Sequence, residues 1–289
     1  MTAQASNVGA LQQIDSWPVL NAVAGVLWPD GTTTTHGDAD RPFALASITK
    51  LLTAWAVLIA VEETIVDLDQ PVGQPGCTLR HLLSHAGGYP FNGDAPIAVP
   101  QKRRIYSNTG IELAAALVAE QAAMPFERYL ADAVLGPLGM SSTRLDGSPA
   151  WAAWGTVNDL LRFAAEVLRP RLIDPSTASV AYTVQFPGLS GLVPGVGRYA
   201  DCQWGAGFEI KDGKTNHWMG ATNSAEAFGH FGGSGTFMWM ERGEPAALIA
   251  LTDRRFEDWS ADALRLWPAF SDAVLAEIRL TRATAGATP

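Results

Sequence analysis

A hydroxyl and a primary amine stand three residues apart in Ala46-Ser47-Ile48-Thr49-Lys50, and a run from Leu51 to Val61 follows that is apolar except at Thr53. On a helix that spacing puts both side chains on one face, within hydrogen-bond reach of each other. A serine hydroxyl is a weak nucleophile at neutral pH and needs a base. A lysine in apolar surroundings loses pKa, because burial disfavours its charged form, and can serve as that base. The same residues have a structural alternative: a serine at a helix start is an ordinary N-cap, and a lysine one turn on can reach solvent along its own stem. The chain has four lysines, and Lys102, Lys211 and Lys214 stand in polar, turn-like contexts, so Lys50 alone heads an apolar helix.

Two further stretches hold groups able to act on a substrate. Ile105-Tyr106-Ser107-Asn108-Thr109-Gly110 opens an amphipathic helix through Ile111, Leu113, Leu117 and Val118. Ser107 or Asn108 can cap it, while Tyr106 and Asn108 offer a phenol and an amide from one turn to a cleft. In Gly229-His230-Phe231-Gly232-Gly233-Ser234-Gly235 the glycines let backbone amides approach a ligand closely, although such a run is also a common turn. His81 and His85 have the i, i+4 spacing of a metal pair, but no glutamate follows His81 as the zinc-protease pattern requires, and no metal site is expected.

These groups need a scaffold, and the flanking sequence supplies one. Val23 to Trp28, the turn Pro29-Asp30-Gly31 and the run Thr32 to Thr35 read as a β-hairpin ahead of the Ser47 helix, with His36 at a strand end. Thr78 to His85 reads as a short helix, residues 91–104 as a loop, and helical segments continue through Phe126–Leu130 and Val157–Phe163. From about residue 180 the texture turns to Gly-rich turns and β-like runs. Trp204–Ile210 reads as a strand, and Thr236–Met240 with Ala246–Leu251 as a second hairpin. Ser260 to Leu280 forms a terminal helix containing Pro268, with Thr281 to Pro289 frayed. Trp151, Trp154, Trp204, Trp218 and Trp239 can line a pocket, but aromatic residues more often build core.

At 289 residues, 47% hydrophobic and 17% charged, the chain is long enough for one large domain or two interleaved ones. A net charge of -9 argues against a nucleic-acid partner, and no basic cluster exceeds Lys102-Arg103-Arg104. Its longest apolar run is too short to span a membrane. Cys77 and Cys202 read as free thiols, and residues 1–7 lack the pattern of a secretory signal, so a cytoplasmic address is expected.

Taken in order, Ser47-x-x-Lys50, Tyr106-x-Asn108 and His230-x-Gly232 resemble the serine β-lactamase and penicillin-binding superfamily, in its class C branch with the D-alanyl-D-alanine carboxypeptidases and family VIII carboxylesterases. Leu79 to His85, Gly136-Pro137-Leu138-Gly139-Met140 and Asn158 to Phe163 are similar to the same branch, and the resemblance runs from about residue 20 to 255. It implies an α+β, β-lactamase-like fold: an antiparallel sheet flanked by terminal helices, residues 1–46 and 185–289, with an inserted mainly helical region, 47–184, and the active site between them. By the same resemblance Ser47 is the acylated nucleophile, Lys50 its base, and Tyr106 shares the acid and base work. Asn108 orients Lys50 and the substrate carbonyl, and the backbone N–H groups of Ser47 and Gly233 form the oxyanion hole beside His230 and Gly232. No metal or cofactor is implied.

The chain departs from its relatives at one informative position. Where penicillin-recognising members carry Lys-Thr-Gly or His-Thr-Gly, it has His230-Phe231-Gly232, which lacks the hydroxyl that holds a substrate carboxylate. An uncharged ester or amide donor therefore fits better than a penicillin. No Gly-x-Ser-x-Gly occurs, which removes the α/β-hydrolase route to an esterase. The expected activity is a serine hydrolase, carboxylesterase-like, acting on a small-molecule ester or amide. A β-lactamase or D-alanyl-D-alanine carboxypeptidase is the alternative, and a non-catalytic binding protein of the same fold the third reading.

Overall fold

The computed structural model describes residues 9–285. The N-terminal stretch 1–7 and the last four residues of the expected frayed end lie outside the described residues. The fold is α+β, built on a six-stranded antiparallel sheet in the spatial order Thr33–His36, Ala22–Leu27, Ala246–Thr252, Thr236–Glu241, Phe228–Gly232 and Glu209–Ile210. In the first hairpin Asp30 accepts hydrogen bonds from Thr32 N–H at 2.9 Å and Thr32 Oγ1 at 2.7 Å, and Gly31 takes φ +90°. His36 ends its strand, as expected.

The period of two along each central strand divides the side chains between two cores. Val23, Leu27, Met238, Met240, Ile249 and Leu251 face the Thr49–Glu62 and Val157–Leu168 helices. Ala24, Val26, Phe237, Trp239, Leu248 and Ala250 face Trp267, Phe270, Val274 and Ile278 of the Ser260–Ala285 helix. Large apolar side chains buried this way each stabilise by about 1.5–3 kcal/mol, so both faces of the sheet are held firmly. Gly25 permits the close packing, since a Cβ there would lie 2.5 Å from Val157 Cγ1. The Thr49–Glu62 helix is apolar all round and is covered accordingly, with Thr49 to Ala60 all buried.

Several local expectations give way to tertiary structure. Trp204–Ile210 is a strand only at Glu209–Ile210, because Gly205 N–H donates to Phe208 C=O and Gly207 takes φ +86° against the helix, where a Cβ would sit 2.2 Å from Ala54 Cβ. Phe228–Gly232, hidden in a glycine-rich run, is a buried strand. Lys211 and Lys214 are buried rather than turn-exposed: Lys211 Nζ donates to the carbonyls of Ala221 and Asn223, and Lys214 Nζ to that of Ile210. The final helix runs on to Ala285, past the expected end at Leu280. Cys77 and Cys202 are free and buried. Among the described residues no helix is long and apolar enough to cross a membrane.

Candidate active site

Ser47 sits in a short 3-10 turn, Ala46–Ile48, directly ahead of the Thr49–Glu62 helix. It is not a cap: the caps of the two segments are Leu45 and Ile48, and neither forms a side-chain cap hydrogen bond. Ala46 is held at φ +45°, a region that costs a non-glycine residue on the order of 1 kcal/mol and persists only where the surroundings impose it. Those surroundings are visible. Ser234 Oγ donates to Ala44 C=O at 2.5 Å, Thr236 Oγ1 to Leu45 C=O at 3.1 Å, and Leu45 N–H to Ala153 C=O at 2.8 Å. Gly232 lets the strand approach this closely, because a Cβ there would fall 2.4 Å from Leu45 O.

Lys50 is fully buried and its ammonium nitrogen has three oxygen neighbours: Asn108 Oδ1 at 2.7 Å, Ala150 O at 2.8 Å and Ser47 Oγ at 3.3 Å. None is a carboxylate. Burial therefore pulls its pKa down to about 7, against a smaller upward pull from Glu112. The Ala150 carbonyl is brought there by two bonds to the same helix, Thr53 Oγ1 to Pro149 C=O and Ala153 N–H to Thr49 Oγ1. Asn108 opens the Asn108–Gln121 helix, capped by Ser107 Oγ accepting from Gly110 N–H at 2.9 Å.

The Tyr106 phenol lies 3.2 Å from His230 Nε2, and its ring 4.7 Å from Lys50 Nζ. His230 Nδ1 is 2.6 Å from Phe231 C=O, a partner that can only accept, so Nδ1 carries the proton and Nε2 accepts from Tyr106. Burial, reinforced by Lys50, pushes His230 down to about 3 and keeps it neutral. Burial also raises the Tyr106 pKa well above that of a free phenol, with Ser47 opposing, so the phenol keeps its proton at neutral pH. Behind it, His85 packs tilted against Tyr106 and edge-on against Trp204, with its ring centroid 4.6 Å from each. His81 is occupied elsewhere: its Nδ1 accepts from Thr78 N–H and its Nε2 pairs with Gln101.

Ser47, Tyr106, His230 and Gly233 open on one cavity of about 510 Å³, walled by Phe91, Trp204, Phe231 and Phe256. The profile of the beta-lactamase family matches residues 4–269. The chain belongs to that family. A beta-lactamase from Mycobacterium bovis superposes with a TM-score of 0.90 at 49% identity, covering 93% of this chain and 99% of that one. The D-amino acid amidase of Ochrobactrum anthropi shares the fold at 18% identity, with a TM-score of 0.75 and coverage of 95% and 98%. Penicillin-binding protein 4* of Bacillus subtilis is 29% identical over an alignment of 136 residues, which covers 36% of this chain and 30% of that protein. These likenesses place the chain in the serine β-lactamase-like superfamily.

Within this β-lactamase family member the seven residues singled out from sequence gather at one place, in different capacities. Ser47, Tyr106, His230 and Gly233 border the cavity, Lys50 lies beneath Ser47, and Gly232 acts on the turn that carries Ser47. Asn108 reaches Lys50 but not the cavity. Its Oδ1 accepts from Lys50 and one N–H of its Nδ2 donates to Asn92 Oδ1 at 3.0 Å, so the amide expected to face a substrate carbonyl is turned to these two residues. Phe231 packs on Phe256 at 5.0 Å and Trp267 at 6.0 Å and forms cavity wall. Of the five tryptophans considered, Trp204 lines this cavity, while Trp218 and Trp239 are core.

Sequence reasoning missed Asn92, Ala150 and Glu209. The last is buried at the cavity margin, bonded to His217 Nε2 at 2.9 Å and Trp218 Nε1 at 2.8 Å, with Lys214 Nζ 3.6 Å away. Desolvation pushes its pKa up, but His217 and Lys214 outweigh this and hold it at about 2.

Proposed function

We propose that the protein is a serine hydrolase that forms an acyl-enzyme at Ser47 from small ester or amide substrates, in the manner of a carboxylesterase. The observation that carries this reading is the amine of Lys50. Neutral Lys50 has two N–H bonds for its two strongest acceptors, Asn108 Oδ1 and Ala150 O, which leaves its lone pair facing the Ser47 hydroxyl. Burial pulls the Lys50 pKa down to about 7, so the neutral amine is accessible at neutral pH. Lys50 takes the Ser47 proton as Oγ attacks the carbonyl, and the backbone N–H groups of Ser47 and Gly233 receive the negative charge that develops on the carbonyl oxygen. Tyr106, held protonated and aligned by neutral His230, passes a proton to the leaving group. Lys50 passes the proton it took to Tyr106; water then attacks the acyl-enzyme, giving a proton to Lys50, which returns it to Ser47 Oγ as the carboxylic acid leaves.

The apolar cavity wall favours an uncharged acyl group, since Phe231 and Phe256 offer a carboxylate nothing to bind. A second reading, hydrolysis of β-lactams, is favoured by the name of the Mycobacterium bovis relative at 49% identity. Two measurements separate the readings. A fluorophosphonate is expected to label the tryptic peptide containing Ser47, with Ser47→Ala abolishing the adduct, and p-nitrophenyl butyrate is expected to turn over far faster than nitrocefin. Labelling at Ser84 or Ser234 would sink the nucleophile assignment. Efficient nitrocefin turnover with poor ester hydrolysis would promote the second reading.

A further inference from the structure

A groove of about 700 Å³ adjoins the catalytic cavity and shares Phe91, Tyr106 and Pro194 with it. The two differ in charge. The cavity is bordered by Glu209 and Glu257, whereas the groove is lined by Arg103, Arg104 and Arg198 and by no carboxylate. Backbone pairing holds the arginines together: Arg104 bridges Gly191, and Leu192 beside it pairs with Arg198 across the Gly191–Val193 and Gly197–Tyr199 hairpin. Arg104 is buried and its guanidinium is spent on the carbonyls of Ser84, Gln185, Phe186 and Cys202. Arg103 and Arg198 are exposed, and among the described residues neither side chain has a hydrogen bond, ion pair or ring contact.

Two uncommitted arginines beside an acyl-transfer site stand out in a chain of net charge -9, in which other exposed arginines, such as Arg128, Arg144, Arg265 and Arg282, are paired with acids. Guanidinium groups bind carboxylates and phosphates through paired N–H donors, and an exposed apolar residue between them, Leu192, suits the carbon skeleton that carries such an anion. Tyr106 separates the two spaces. If it protonates the leaving group, the groove lies on the leaving-group side.

We infer that the groove is a subsite for the leaving group and that this leaving group bears a carboxylate or phosphate several bonds from the scissile ester or amide, bound by Arg103 and Arg198. The inference rests on the acyl-transfer reading of Ser47 and Tyr106. It assigns the substrate an uncharged acyl half and an anionic other half.

Three butyrate esters test it: those of 4-hydroxyphenylacetamide, 4-hydroxyphenylacetate and 4-(phosphonomethyl)phenol. They share the acyl group, and the methylene keeps their phenols similar in acidity, so charge is the main variable. At low ionic strength the anionic esters are expected to exceed the neutral one in kcat/KM by about fivefold, the scale of two exposed ion pairs. Added salt should shrink that ratio. The Arg103→Gln/Arg198→Gln double variant should bring it close to one, while Arg265→Gln, at an exposed arginine lining neither space, should keep it. A preference confined to the phosphonate supports the groove with phosphate as its ligand, and equal preference for both anions supports it with a carboxylate sufficing. A ratio near one in the unmodified protein, or a ratio that survives the double variant, overturns the inference.

Failure of all three esters to turn over would count against the acyl-transfer reading alone. The groove is then judged by calorimetry with the phosphonate ester and Ser47→Ala: binding lost in the double arginine variant supports it, and binding indifferent to the arginines, or none, overturns it.

Discussion

Lys50 and Lys214 are both buried, but the ammonium of Lys50 is met by the neutral oxygens of Asn108 and Ala150, whereas that of Lys214 lies 3.6 Å from the carboxylate of Glu209. The consequence is a division of labour. Without a nearby counter-ion, burial pulls Lys50 down to about 7, where it can give and take a proton. Around Lys214 the charges satisfy one another: Glu209 is held at about 2 by His217 and Lys214, and Trp218 bonds its second oxygen. One buried amine is left reactive and the other serves as a fastening, and the presence of one carboxylate separates the two.

The contrast breaks most visibly if Lys50 is replaced by methionine, which keeps the length and apolar stem but removes the base. kcat on p-nitrophenyl butyrate is expected to fall by roughly 10²–10⁴, with Tyr106→Phe behaving alike and the double variant no worse than the worse single one. Turnover near that of the unmodified protein in Lys50→Met would make the amine purely structural.

Removing the carboxylate from the other cluster should strike stability. Glu209→Gln preserves shape but leaves Lys214 and His217 facing no charge, and urea unfolding should show a loss of about 3–5 kcal/mol at pH 7. The pH dependence has a definite sign. Because the Glu209 pKa is depressed, its stabilisation is present in full above about 4.5, the ordinary carboxyl value, and is lost as pH falls towards 2. The variant should therefore lack the part of the acid destabilisation that falls between those limits. A loss under about 1 kcal/mol would mean that packing, rather than charge, holds this cluster.

The sharpest version makes the first lysine resemble the second. Asn108→Asp gives Lys50 a carboxylate at the position where it now has an amide oxygen. If the neutral amine is the base, as proposed, kcat/KM of the unmodified protein should rise as pH passes about 7. In the variant that midpoint should move upward, with activity at pH 7 lower by about fivefold for the first unit of displacement and about tenfold for each further one. An unmoved midpoint would detach the profile from Lys50.

The parts of this arrangement that local spacing encodes were readable in the chain. Ser47 and Lys50 lie one helical turn apart ahead of an apolar run, Tyr106 and Asn108 share one turn, and the threonine and methionine-tryptophan hairpins alternate as strands do. Contacts between distant segments were not readable. Ala150 lies 100 residues from Lys50 and Asn92 16 residues from Asn108, and they meet through bonds that carry no composition signal. Lys211 and Lys214 looked solvated because a charged residue flanked by Asp and Gly reads as a turn, and only the folded chain shows carbonyls surrounding them. Phe228–Gly232 looked like a loop for a related reason. Its glycines reflect crowding against the Ser47 turn and against Met238 rather than a bend.

The register of the sheet bears on how the chain comes to fold at all. Ala22 pairs with Thr252 and Leu27 with Ala247, so two neighbouring inner strands are separated by most of the chain. On the ribosome the threonine hairpin is made before its partner and must wait, with an open hydrogen-bonding edge, until synthesis has passed Thr252. Closing so long a loop is entropically slow, and the Ser234, Thr236 and Gly232 contacts that support the Ala46 turn likewise join segments about 190 residues apart. The Ala46 turn is thereby one of the last features the molecule completes, and a nascent chain carries Ser47 long before the surroundings that hold this turn exist.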